Sequence, residues 1–84
     1  MISGFNFPNP AGRYITIDYT LPENAYICFK ITDCTGRIVM MLNDEHKNAG
    51  VYSEQANVST LAQGVYFFIA NINGELKTIK FIKL

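Results

Sequence analysis

Leu61-Ala62-Gln63-Gly64-Val65-Tyr66-Phe67-Phe68-Ile69-Ala70 holds the longest apolar run in the chain, and Val65 to Ile69 are all β-branched or aromatic. Those residue types suit a pleated, buried surface. In a strand, Val65, Phe67 and Ile69 share one face and Tyr66, Phe68 and Ala70 the other, so neither face is polar. Such a strand is either covered on both sides or leaves one face for another molecule to dock on. Gly64 lets the chain turn sharply into it, and Asn73-Gly74 turns it out as a two-residue hairpin. The rest of the sequence has to supply partners for this strand.

Working outward, the flanking segments show β character separated by turn signals. Glu75 to Leu84 follows the Asn73-Gly74 turn as the last strand. Upstream, Asn57 to Gln63 is a connection that brings Leu61 into the core. Val51 to Ala56 is a weaker strand, expected at an edge because Glu54 shares a face with Tyr52 and Ala56. Asp44 to Gly50 is polar and reads as an exposed loop. Arg37 to Asn43 and Ala25 to Asp33 form a hairpin across Asp33-Cys34-Thr35-Gly36, a type I turn whose Asp33 carboxylate caps backbone amides. Ile27, Phe29 and Ile31 point inward, and Tyr26, Cys28, Lys30 and Thr32 outward. Arg13 to Tyr19 alternates clearly, with Ile15, Ile17 and Tyr19 on the core side. Residues 1–12 read as a linker and domain entrance, stiffened by Pro8-Asn9-Pro10. Residues 13–84 read as a single sandwich. Turns at Gly36, Gly50, Gly64 and Gly74 space short strands in the rhythm of a sandwich or barrel.

Composition narrows the functional classes. The 84 residues make one small domain with little structure to spare for an elaborate site. Lys plus Arg equals Asp plus Glu, seven each. Zero net charge argues against nucleic acid or an anionic membrane as the main partner. In a chain this aromatic it favours self-association, so a homodimer is among the expected partners. No run approaches the ~18 apolar residues of a membrane helix. Cys28 and Cys34 lie six residues apart in extended chain, roughly 15–20 Å, too far for a disulfide. Two cysteines and the lone His46 are too few for a metal site, and no cofactor is expected. Cys34 with His46, oriented by Asp33 or Asp44, is the thiol–imidazole set on offer. Nothing marks that thiol as activated, so the chain reads as non-enzymatic.

The ordered motifs resemble a known family. Pro8-Asn9-Pro10-Ala11 leads into an alternating strand, followed by Leu21-Pro22-Glu23-Asn24-Ala25 and the Asp33-to-Val39 hairpin. Ala49-Gly50 precedes the edge strand, Leu61 to Phe67 opens the central one, and Lys80-Phe81-Ile82-Lys83-Leu84 ends the chain. In order and spacing these are similar to the C-terminal sorting domains of cargo proteins of the type IX secretion system. Asn57 stands where that family often has Asp, and Glu54 and Ala56 where bulkier apolar residues are usual.

The resemblance implies an all-β, immunoglobulin-like sandwich of six to seven short antiparallel strands at the end of a larger secreted protein. It implies passage from the periplasm across the outer membrane to the cell surface or the medium. Its implied partners are the fused upstream cargo, a secretion translocon and a sortase-like protease that cuts upstream of or within residues 1–6. Met1 would then not be the natural start. The translocon would read Lys80, Phe81, Ile82, Lys83 and Leu84, by addition of a receptor strand to an unpaired edge. Val65, Phe67 and Ile69 form the candidate docking face, set against burial under neighbouring strands. Tyr66 is expected in the core with its hydroxyl on a backbone group. An immunoglobulin-like adhesion or stalk module that binds glycan or protein is the alternative reading.

Overall fold

The computed structural model describes residues 12–84, so Pro8-Asn9-Pro10 and all of the entrance segment except Gly12 lie outside the described residues. Six strands follow in order: β1 (Tyr14–Leu21), β2 (Ala25–Asp33), β3 (Ile38–Lys47), β4 (Gly50–Asn57), β5 (Gly64–Ile72) and β6 (Glu75–Lys83). They form a two-stranded sheet, β1-β4, and a four-stranded sheet in the order β3-β2-β5-β6, with every pairing antiparallel. The fold is all-β, and its two sheets are compatible with a β-sandwich.

Alternation in the sequence becomes burial in the fold because successive side chains leave a strand on opposite faces. Ile15, Ile17, Tyr19 and Leu21 of β1 face inward, as do Ile27, Phe29 and Ile31 of β2 and Tyr66, Phe68, Ala70 and Ile72 of β5. The Tyr19 ring meets Phe29 edge-on at 4.9 Å between centroids, which sets β1 over β2. Phe29 in turn meets Phe68 at 5.5 Å, and Tyr66 stacks on Phe81 at 5.9 Å, extending the core to β6. The Tyr66 hydroxyl donates to the Ala62 carbonyl at 2.7 Å, as a buried phenol requires.

The turns follow their expected chemistry. Asn73 and Gly74 both have positive φ, 50° and 89°, the conformation a two-residue hairpin needs to match strand twist. Asn73 does more than turn the chain. Its Oδ1 accepts from the Tyr26 amide at 2.8 Å, and its own amide donates to the Tyr26 carbonyl at 3.0 Å. This ties the tip of the β5–β6 hairpin to the start of β2. At the β2–β3 turn, Asp33 Oδ1 accepts from the Thr35 amide, the Thr35 hydroxyl and the Arg37 amide. These donors, led by the Thr35 hydroxyl, outweigh desolvation and hold the Asp33 carboxyl below the usual carboxylate range.

Three expectations need correction. Asp44 to Gly50 is not a loop: β3 runs on to Lys47, pairing Asp44, Glu45, His46 and Lys47 with Cys28, Ile27, Tyr26 and Ala25. Its polarity is that of an edge strand, with Asp44 accepting from the Tyr26 hydroxyl and His46 set edge-on to the Tyr26 ring. Register shifts between Phe29 and Lys30 and between Ile31 and Thr32 let this long strand follow β2. In the connection after β4, Val58 is the fully buried residue and Leu61 only packs partly against the core. The Val58 amide donates to the Arg13 carbonyl at 2.8 Å, which pins that end of the segment to the entrance of β1. Thr32 is on the outer face as expected, yet only 4% exposed, because it lies in register between Ile38 and Phe67.

Candidate recognition surface

The C-terminal segment occupies β6, which ends the order of its sheet. Its pleat divides the five residues assigned to recognition. Phe81 is fully buried in the core and Lys83 is only 8% exposed, its ammonium donating to the Leu84 carbonyl at 2.6 Å. Lys80, Ile82 and Leu84 stand exposed on the outer side. The expectation that Lys83 supplies surface polarity is therefore corrected: side-chain period 2 sends it inward with Phe81. Of these five residues, Lys80 and Ile82 of β6 and Leu84 just beyond its end are the ones presented.

Val65, Phe67 and Ile69 lie on the outer face of the four-stranded sheet, away from the core, and are half-buried. Register brings them together with neighbours that sequence spacing could not supply. Val65 pairs with Ile82, Phe67 with Lys80 and Thr32, and Ile69 with Thr78 and Lys30. Ile38 lies beyond Thr32 and Met41 beyond Lys30, both about half exposed. The candidate docking face and the outer side of the C-terminal strand are thus one surface. Hydrophobic side chains dominate it at this end. Toward the other end polar residues enter it, with Asp44, Cys28 and Asn71 in register, and the exposed Leu76 stands beside Asn71.

Between the sheets, on the β3–β4 side, lies a polar group that sequence reasoning missed. Glu54 points inward from β4, where its Oε1 accepts from the Tyr19 hydroxyl at 2.7 Å and pairs with Lys47 Nζ at 2.9 Å. The Lys47 ammonium also sits 4.3 Å over the Tyr52 ring, which stacks on Tyr19. Burial alone would raise the Glu54 pKa, but the hydrogen bonds from Lys47 and Tyr19 outweigh it and hold the carboxyl low. The hydrogen bond to Glu54 raises Lys47, against the effect of burial. Burial, and then the bond to Glu54, raises Tyr19. This arrangement braces one sheet to the other. The sequence carried a trace of it, an inward-facing acid on an edge strand, but reading Lys47 as loop hid its partner.

The thiol–imidazole set is not assembled. Cys34 is exposed in the β2–β3 turn, while His46 lies eight strand residues beyond Ile38, roughly 26 Å along β3. Cys28 and Cys34 are both free. Among the described residues no three His, Cys, Asp or Glu side chains come together as a metal would need. A cleft of about 130 Å³ opens between the β1–β2 and β5–β6 turns, lined by Leu21, Pro22, Glu23, Ala25, Ile72, Asn73 and Glu75. Pockets that hold small molecules run to about 300–1,000 Å³, so this cleft is undersized for a substrate.

A family model described as a secretion system C-terminal sorting domain matches residues 6–84. No curated protein and no solved structure matches the chain.

Proposed function

Since the chain belongs to the family of secretion system C-terminal sorting domains, matched from residue 6 to residue 84, we propose that it is the export address of a larger cargo protein, read from its surface. Membership makes it a sorting signal of type IX secretion, bound for the outer membrane, the cell surface or the medium. On our reading a translocon component recognises the outer side of β6, Lys80, Ile82 and Leu84, and a sortase-like protease removes the domain as cargo is anchored or released. No step of this kind asks the domain for chemistry of its own. The observation that carries the reading is the length of the family match, nearly the whole chain.

A graft tests it. Residues 1–84 are fused behind a signal-bearing reporter in a bacterium with an intact type IX system. The reporter is expected at the surface or in the medium, and a reporter left in the periplasm would defeat the reading. Deleting Lys80 to Leu84 is a poor second arm, because it also removes Phe81 from the core. The outward pair Lys80→Glu and Ile82→Glu is the better one. It should strand the reporter in the periplasm while the melting temperature stays near that of the parent. Normal export of that variant would remove β6 from the recognition surface.

A further inference from the structure

The outer face of the four-stranded sheet concentrates its apolar side chains in one half, with Leu76 standing apart at the other end. Near the β2–β3 turn it carries Ile38, Met41, Val65, Phe67 and Ile69 beside Ile82 of β6, with Ile38, Met41 and Ile82 each between 43% and 52% exposed. The charges in this half are Lys30 and Lys80, both of one sign, and no outward-facing Asp or Glu accompanies them. Among the described residues neither lysine pairs with a carboxylate; the acids close by are engaged elsewhere, Asp33 with Arg37 and Asp44 with Tyr26. Lys30 and Lys80 are two strands and two residues apart, so their Cα atoms stand roughly 12 Å from each other.

An apolar surface of this kind on a small domain marks an interaction site, and a pair of unneutralised cations sets the sign of what can approach it. We propose that this half-face docks a protein surface with an apolar centre flanked by two carboxylates spaced on the order of 12 Å. The proposal rests on the export reading and specifies what the partner looks like. It extends recognition from the C-terminal strand to β2, β3 and β5. Four strands by four to five residues give a footprint of roughly 200 Å². A footprint that small cannot hold a stable complex by itself, so the contact is weak and short-lived, as suits a domain that is handed on. A sheet face with two lysines on a chain of zero net charge is poorly made for a lipid surface, which is bound through basic excess or an inserting amphipathic helix.

The test uses the same graft with substitutions remote from the C-terminal strand. Lys30→Glu with Met41→Glu places like charge opposite the partner's carboxylates. Export of the reporter is expected to fall by about tenfold or more. Val51→Glu, on β4 and 82% exposed, places a glutamate on the other sheet and should export as the parent does. Should the double glutamate variant fail to melt cooperatively, Lys30→Gln with Met41→Gln takes its place. A folded face variant exported like the parent would overturn the proposal and leave the export reading standing. A parent graft that is not exported would overturn both. Flotation of the purified chain with phosphatidylcholine–phosphatidylglycerol vesicles, lost in the face variant, would also overturn it, in favour of lipid.

Discussion

Glu54 faces the interior from an edge strand, and the sense of that position appears only when Lys47 and Tyr19 reach it from two other strands. Its carboxyl titrates below its ordinary 4.5 in the folded chain, so its contribution to stability is complete above that value and lost as pH falls through the folded pKa. Lys47 is raised above its ordinary 10.5, and its contribution is complete below that value and lost as pH climbs through the folded pKa. Tyr19 acts in the same alkaline direction: above its ordinary 10.0 the unfolded chain releases a proton that the folded chain retains. A plot of melting temperature against pH should therefore sag below about 4.5 and above about 10. Glu54→Gln should make the acid limb shallower, leaving the part that Asp33 contributes, and an acid limb of unchanged slope would show that the brace is not responsible. Asn73 permits a second measurement. Asn73→Gly should lose only the side-chain bond to the Tyr26 amide, about 1 kcal/mol, whereas Asn73→Ala should lose about 1 kcal/mol more because alanine resists positive φ. Equal losses in chemical denaturation would mean that the conformation costs nothing there.

At the scale of the element, β6 shows how one strand can serve the core and the surface together. Phe81→Ala opens a cavity under Tyr66 and should cost about 3–5 kcal/mol, most of the stability of a domain this small. Lys80→Glu, one residue earlier and exposed, should change stability by no more than about 0.5 kcal/mol. Urea denaturation of the two variants checks the contrast, and similar losses would mean that the pleat is not as described. The strand could be read from sequence, because Glu75 to Leu84 follows an Asn-Gly turn. Which of its residues faced out could not. The lysines suggested that both Lys80 and Lys83 were solvent-facing, but odd and even positions part company in a strand, and Lys83 shares its side with Phe81. The polar end of β3 was hidden for a related reason. Asp44, Glu45 and His46 have the composition of a loop, and only their hydrogen bonding to β2 makes them strand.

Across the whole molecule, two of the pairings are distant in sequence. β1 pairs with β4, joining Tyr14 to Asn57, and β2 pairs with β5, joining Ile27 to Ile72. Closing such separations before any reward is slow, so refolding after denaturant dilution should take milliseconds to seconds. A microsecond phase carrying the full amplitude would contradict this topology. The same long-range pairings create the proposed recognition surface. Val65, Phe67 and Ile69 were legible as one face of one strand. Their company of Ile82, Lys80, Lys30, Ile38 and Met41 comes from four strands in register, and no local spacing encodes it.

Local chemistry in the chain was enough to determine the all-β class, the turns at Asp33-Gly36 and Asn73-Gly74, and most core-facing residues, since each depends on neighbours a few positions away. The ordered motifs also carried the family. Tertiary structure alone decided that β3 extends to Lys47, that Val58 outranks Leu61 in the core, that Lys83 turns inward and that Glu54 braces two sheets. Each of these depends on which strand lies beside or above another, and strand neighbours are set by the packing of the whole core.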